Sequence, residues 1–399
     1  MNNFKTPYFL IDKTKLDNNY NAMKEAFKKE WKNIIIGYSF KTNSLPWIIN
    51  FLKNKGAYAE VVSEREYELA KYLGYSDKII YNGPLKGERS VIEALNKGAI
   101  VNLDSFHEVE WLKNARPSNG RIWKIGLRIN FDLEKRCPGE TSCGTRGGRF
   151  GFNYENGELA SVIDTINSLK YIKISGIHLH NSSKTRSLNI YKNIAKLAVE
   201  IKDLFRDKLE YIDIGGGFYG GLTNKPQYSD YAKVISSILK EKFSENIYLI
   251  IEPGASLIAS PISFYTSVVS VKKVKDTIFA TVDGSCNNLN PLMQNKNYFY
   301  EIISKVESRF VSSKQIIAGY TCMENDTLLT LESEKLLSVG DIIKFDKVGS
   351  YTMTLSPLFI EYFPAVIVKD KNEYYYARKP WGIKEFVQKN YIEKNEKEI

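Results

Sequence analysis

The chain has 399 residues, 43% of them hydrophobic and 26% charged, with 26 Tyr and 20 Phe; this excludes a disordered protein and suits one large barrel plus a second domain. Its net charge of +10 comes from lysines interspersed with Asp and Glu rather than from a basic block, so neither nucleic acid nor a membrane is expected as a partner, whereas a small anionic ligand is compatible. With no apolar run of membrane-spanning length, no basic-then-apolar leader, and no CxxC pair among Cys137, Cys143, Cys286 and Cys322, the expectation is a cytoplasmic protein with free thiols and no zinc site.

Residues 7–12, Pro-Tyr-Phe-Leu-Ile-Asp, read as a strand, and Lys13 to Lys29 carries Leu16, Tyr20, Met23 and Phe27 at helical spacing. Apolar runs then recur at 33–40, 57–62, 78–81, 100–103, 123–129, 173–179, 209–214 and 247–251, most of them separated by amphipathic, helix-length segments. Ser63-Glu64-Arg65-Glu66 and Ser105-Phe106-His107-Glu108 both have the form of a capping box directly after a strand. Eight alternating units of this kind predict a (β/α)8 barrel over residues 30–261. From Ile262 the pattern changes to period-two segments, Phe264–Val271, Ile278–Val282, Lys314–Gly319, Ile342–Phe345 and Phe363–Lys369, so residues 262–383 read as a mostly β domain. The strand within residues 1–29 precedes the barrel count and is expected to pair with that domain, leaving 384–399 as a charged, solvated tail.

The chemistry-bearing residues fall at the carboxyl ends of the barrel runs, which is the working face of such a barrel. Ile34-Ile35-Ile36-Gly37-Tyr38-Ser39-Phe40 delivers Lys41, whose ammonium is expected to be desolvated; desolvation lowers a lysine pKa, and a neutral amine forms an imine with an aldehyde. The sixth run ends Gly176-Ile177-His178-Leu179-His180-Asn181-Ser182-Ser183, and only one of the two histidines is taken to face the interior, so no metal is expected. The seventh ends Gly215-Gly216-Gly217-Phe218, where backbone N–H groups can nest an anion, and the eighth ends Glu252-Pro253-Gly254. An amine, an imidazole able to stack, a glycine nest and a lone carboxylate are together the parts of a pyridoxal phosphate site.

The sequence resembles the fold type III pyridoxal phosphate enzymes, whose barrel is like that of alanine racemase, and among them the diaminopimelate and ornithine decarboxylases. The resemblance is carried by Tyr38-Ser39-Phe40-Lys41-Thr42-Asn43, Ala59-Glu60-Val61-Val62-Ser63, Asn82-Gly83-Pro84-Leu85-Lys86, Asn102-Leu103-Asp104-Ser105 and Arg149-Phe150-Gly151. It continues through His180 to Ser183, the glycine run, Glu252-Pro253-Gly254, Cys322 and Gly349-Ser350-Tyr351-Thr352, and so covers nearly the whole chain. It implies that Lys41 holds the cofactor, His180 stacks on it, Ser183, Gly216, Gly217 and Tyr351 contact its phosphate, Glu252 meets its pyridine nitrogen and Glu60 lies close by. It further implies that Cys322, with Asp326 four residues on, donates a proton into the neighbouring subunit's site, making the assembly a head-to-tail homodimer with shared sites. The expected reaction is decarboxylation of an amino-acid-type small molecule. An amino-acid racemase is the first alternative, disfavoured because racemases resembling this fold usually set an arginine at the pyridine nitrogen; a non-catalytic cofactor-binding regulator is the second.

The departures from the family cluster on the substrate. Ala255 stands where the family has an arginine, Asn290 and Gln294 stand where diaminopimelate decarboxylases have an arginine and a tyrosine, and Met323 replaces an acidic residue. The substrate contacts expected of Asn290, Gln294, Met323 and Asp326 therefore suit neither a distal carboxylate held by an arginine fork nor a distal ammonium held by an acid. The far end of the substrate is expected to be neither that of diaminopimelate nor that of ornithine, but polar or conjugated, as in a siderophore or peptide-antibiotic precursor. Arg136 and Arg146, in the loop Asp132 to Gly148, are candidate replacement cations.

Overall fold

The computed structural model describes residues 4–206, 208–293, 297–304 and 309–390, and the chain divides into two compact units, Asn18–Leu257 and Met1–Asp17 with Ile258–Ile399.

The first unit is the barrel. Among the described residues, its ring strands are β2 (Asn33–Ser39), β3 (Tyr58–Ser63), β4 (Ile79–Leu85), β5 (Ile100–Leu103), β6 (Trp123–Asn130), β8 (Ile172–His178), β9 (Tyr211–Asp213) and β10 (Tyr248–Ile251). All eight expected runs became strands, every ring pair is parallel, and β10 pairing with β2 closes the cylinder. A two-residue strand β7 (Phe152–Asn153) adds on to β6. Strands buried on both faces need apolar residues at consecutive positions, which is why the sequence runs rather than alternates there. Ile35, Ile80, Tyr211 and Ile250 pack together inside the ring, with Tyr58 and Ile100 against them. The helix Lys13–Glu30 buries Tyr20, Met23 and Phe27, the last edge-on to Phe218 at 5.8 Å.

The two capping boxes form only in part. The Ser63 hydroxyl accepts from Glu66 N at 3.2 Å, but the Glu66 carboxylate accepts from Val62 N instead of closing on Ser63. Ser105 makes no side-chain cap at all. Its intended partner Glu108 accepts from Asp104 N at 2.8 Å and pairs with the buried Lys86 ammonium at 2.7 Å. A buried cation needs a buried anion, and that demand outweighs the helix cap.

The second unit is built on β1 (Tyr8–Asp12), which lies between β11 (Ile262–Val274), antiparallel, and β17 (Ala365–Asp370), parallel. The amino-terminal strand thus pairs with the carboxy-terminal sheet, as its place before the barrel runs suggests. Tyr8 stacks on Tyr265 and Phe9 tilts against Phe264, each the other's partner in the ladder. β12 (Thr277–Val282) and β16 (Ile342–Asp346) match two more of the period-two segments. Period two alone misses β13 (Phe299–Ile303) and β15 (Thr327–Lys335), while β14 (Val311–Ala318) and β18 (Glu373–Arg378) complete the order β15-β14-β12-β11-β1-β17-β18. β18 is missed as well, and all three missed strands leave most of their residues exposed or half-buried, so none shows the alternation of a half-buried strand along its whole length. In the carboxy-terminal tail the residues Ile383–Val387 form a short helix, and 391–399 lie outside the described residues. No helix of the described residues is long and apolar enough to cross a membrane.

Candidate active site at the strand ends of the barrel

Lys41 does not sit in a desolvated strand end. β2 stops at Ser39 and a single 3-10 turn, Phe40–Thr42, carries Lys41 to the open mouth, where 40% of its side chain remains exposed and Nζ pairs with the Glu60 carboxylate at 2.7 Å. The turn is anchored by apolar and polar burial on either side of the lysine, at Phe40 and Thr42. An ion pair at the rim, rather than burial, is what holds the amine.

Glu60, fully buried on β3, also accepts from the Ser39 hydroxyl at 2.6 Å and from the Asn82 amide at 3.1 Å. The same Asn82 amide donates to the Glu252 carboxylate across the ring. Its own oxygen accepts from Asn102 at 2.8 Å, and Asn102 in turn accepts from the Tyr211 hydroxyl at 2.7 Å. One hydrogen-bonded line therefore runs from the Lys41 amine through Glu60 and Asn82 to Glu252.

Glu252 follows β10 and is buried, with His178 Nε2 at 3.4 Å from its carboxylate. Burial pushes the Glu252 carboxyl up, but the neighbouring His178 and the charge of Lys41 outweigh it and hold the group well below the usual carboxylate range. Asp213 goes the other way: burial first, and Glu252 beside it second, raise it far above an ordinary aspartate. His178, Asp213 and Glu252 each bring one ligand-type atom within 4.8 Å of the others.

The histidine pair does not diverge. Residues two apart on a strand share a face, and the rings of His178 and His180 stack at 6.3 Å with an interplanar angle of 10°. Burial and the nearby Arg128 guanidinium drive His180 down to about 3, so its imidazole is neutral. Its Nδ1 accepts from Gly216 N at 3.3 Å, while Gly215 N is engaged by Asp213 at 2.8 Å. At Gly216 a Cβ would lie 2.2 Å from the Glu252 carbonyl oxygen, so only glycine leaves this floor intact; Gly217, at φ 93°, is the exposed member of the run.

Ser183 sits beyond the same strand, its hydroxyl accepting from Arg186 N at 3.0 Å and its backbone bridged to Thr141. That bridge, with Ser142 N to Ser182 O at 3.0 Å and Lys184 N to Glu140 O at 2.8 Å, pins the 132–148 loop against the barrel end. The loop is not structureless: it holds the short helix Leu133–Arg136 and a 3-10 turn Gly144–Arg146. Arg136 is held by Glu200 at 2.9 Å. Arg146 and Arg149 instead line a cavity of about 550 Å³ that reaches His180.

The remaining expected residues belong to the β unit. Cys322 is exposed in the loop after β14, with Met323 half-buried beside it. Asp326 is not open to a substrate, because it is buried and its two oxygens accept from Ser285, Cys286 N and Thr321. It shapes the turn that presents Cys322. Asn290 is likewise buried, at the end of the short helix Cys286–Leu289. Tyr351 is exposed and left-handed at φ 56°, and Gln294 lies outside the described residues. Asn82, Asn102, Arg128, Asp213 and Tyr211 went unnoticed as site residues. Asn82 and Asn102 stand inside blocks that carry the resemblance, where an amide following an apolar run is the available signal; Arg128 and Tyr211 have none.

The barrel, an amine at its rim, a buried ionised carboxylate and a glycine-walled floor define a protein that handles a carbonyl cofactor and an anionic group. The family model described as pyridoxal-dependent decarboxylase, pyridoxal binding domain, matches residues 14–259. The diaminopimelate decarboxylase of Methanocaldococcus jannaschii is 27% identical over 88% of this chain and 83% of its own length, and that of Helicobacter pylori J99 is 27% identical over 88% and 87%. The crystal structure of the M. jannaschii enzyme with L-lysine superposes with a TM-score of 0.85 at 24% identity, over 98% of this chain and 93% of that one. The chain belongs to the pyridoxal-dependent decarboxylases. Its cofactor is pyridoxal phosphate and its reaction class is that of a carboxy-lyase.

Proposed function

We propose that the protein decarboxylates an amino acid, or a conjugate of one, whose far end differs from those of diaminopimelate and ornithine, with Lys41, His180 and Glu252 handling the cofactor. The observation that carries the assignment of roles is the line Lys41, Glu60, Asn82, Glu252, with an amine at the open end and an ionised carboxylate at the buried end. These residues fit pyridoxal phosphate: an accessible amine to hold its aldehyde, a neutral imidazole to cover its ring, a floor at Gly216 that no side chain can occupy, and a carboxylate for its pyridine nitrogen. Bound there, the cofactor supplies an electron sink for the pair left behind when CO2 departs.

The protein's own residues do the rest. Glu252, held well below the usual carboxylate range with His178 beside it, would keep a proton on the cofactor's pyridine nitrogen. Glu60 orients the Lys41 amine, which would hold the aldehyde of the cofactor. The exposed Gly217 and the half-buried Ser183 offer donors for phosphate, and Tyr351 keeps the phosphate role that the resemblance implies. Cys322, exposed on its loop, delivers the proton to the carbon that lost CO2, working in the site of the neighbouring subunit of a homodimer. A racemase reading is disfavoured by an ionised carboxylate in place of a cation at the pyridine nitrogen.

On the substrate side, Ala255, Asn290 and Met323 leave no arginine fork and no acid at the positions that hold a distal carboxylate or ammonium in the resembling enzymes. Mass-spectrometric CO2 loss across L- and D-amino acids and their conjugates tests this, and rapid turnover of ornithine or meso-diaminopimelate ahead of all others would refute it. For the cofactor roles, Lys41→Ala should lose the visible absorbance of lysine-bound cofactor, and borohydride should fix no cofactor to the chain. A reducible chromophore retained in that variant would sink the assignment.

A further inference from the structure

Beside the proposed cofactor contacts lies a cavity of about 550 Å³ whose charged lining is all of one sign. Arg128, Arg146 and Arg149 line it, and among the described residues that do so none is acidic. Asn130, Asn181 and Ser182 add polar groups to the wall. Arg128 is only 8% exposed, its Nε has no hydrogen-bond partner, and its other contacts are long, 3.4 Å to Asp104 and 3.5 Å to the His180 carbonyl. Asp104 answers one of the three positive charges; Arg146 and Arg149 have no such partner in the wall.

Part of the arrangement is held in place by packing and by backbone bonds. The guanidinium carbons of Arg128 and Arg149 lie 4.5 and 4.1 Å from the centre of the same Phe150 ring. The bridge from Thr141 to Ser183 and the Ser142 to Ser182 bond fix the far wall. Guanidinium groups held together on an aromatic ring repel one another, and an anion taking charge-assisted bonds from them relieves that repulsion. Planar forks of this kind match carboxylate or phosphate oxygens, whereas a distal ammonium would enter a field of its own sign without an acid to meet it.

His180 lines the cavity too, so the cavity adjoins the place where the cofactor would be held. We infer that this cavity is the specificity site for the far end of the substrate, and that this end carries an anion, a carboxylate or a phosphate ester, without a neighbouring ammonium. The inference deepens the decarboxylase reading above and rests on it.

The test compares amino acids of near-equal length on the holoenzyme: L-2-aminopimelate with its carboxylate end, 2-aminoheptanoate with an apolar end, L-lysine, meso-diaminopimelate, and an L-amino acid ending in a phosphate ester. Arg146 and Arg149 are exposed and only Arg128 is buried, so a carboxylate or phosphate end should raise kcat/KM for CO2 release by about 10-fold over the apolar analogue. In the double variant Arg146→Met, Arg149→Met that ratio should collapse toward unity. Preference between the carboxylate and phosphate compounds tells the two sources apart. A ratio near unity in the wild type, a ratio unchanged by the double variant, or meso-diaminopimelate turned over better than 2-aminopimelate overturns the inference. If no compound loses CO2, the substrate reading fails, and calorimetry with glutarate and with inorganic phosphate then judges the cavity alone: binding lost in the double variant upholds an anion site, and no binding to the wild type removes it.

Discussion

At the scale of single residues, Asn82 has the most connections for the least notice. One amide reaches Glu60 and Glu252 while its oxygen takes Asn102, so it sets the separation of the two carboxylates. Asn82→Ala leaves both buried acids short of a donor, and hydrogen bonds to charged groups are worth about 1.5–3 kcal/mol each. We expect about a tenfold or greater rise in the cofactor dissociation constant, read by titrating cofactor absorbance, with the fold intact by circular dichroism; an unchanged constant would contradict the positioning role. His180 makes a pH prediction. It resists protonation when folded down to about 3 but titrates near 6.5 when unfolded, so its contribution to stability is complete above about pH 6.5 and is lost as pH falls toward 3. Urea midpoints of the cofactor-free protein should therefore drop across that window, and His180→Gln, which cannot take the proton, should flatten the drop. Much of this was hidden in the sequence for a plain reason: a lysine at a strand end reads as buried until a 3-10 turn lifts it to the rim.

At the scale of elements, the barrel ring is a set of apolar runs because each parallel strand is covered on both sides. Ile250 on β10 packs inside the ring against Ile35, Ile80 and Tyr211. Truncating it to Ala should cost about 2–5 kcal/mol, visible as a lower urea midpoint with an unchanged slope. If the midpoint held, the interior would have to be far more plastic than a close-packed ring allows. The polar end of Tyr211 explains two glycines that the run pattern ignores, since a Cβ at Gly176 would meet its ring at 2.1 Å and one at Gly126 its hydroxyl at 2.0 Å. Strand positions were legible in the sequence; these close approaches were not, because the space a glycine leaves is filled by a residue from another strand. The capping signals failed at Ser105 for a similar reason, its glutamate having been drawn to the buried Lys86.

At the scale of the whole molecule, the expected homodimer with shared sites yields a sharp mixing experiment. Lys41→Ala and Cys322→Ala should each be nearly inactive alone, the second by about 10²- to 10⁴-fold as befits a proton donor. Dissociated and reassembled together, they should regain about a quarter of wild-type activity, because half the dimers are mixed and each of those has one intact site. No recovery would argue that the lysine and the cysteine of one chain serve the same site. The sequence by itself determined the barrel, the β domain that takes back the first strand, and the ends of strands where an amine, a glycine run and a carboxylate would fall. Those features are written locally, as periodicity and as short blocks. Only the tertiary structure decided which polar groups meet, that Lys41 is paired at the rim, that Asp326 is spent on its own loop, and that Arg146 faces a cavity while Arg136 is held by Glu200. The physical reason is range: the bond from Asn82 to Glu252 joins residues 170 positions apart, and no local pattern records a contact made only when the ring closes.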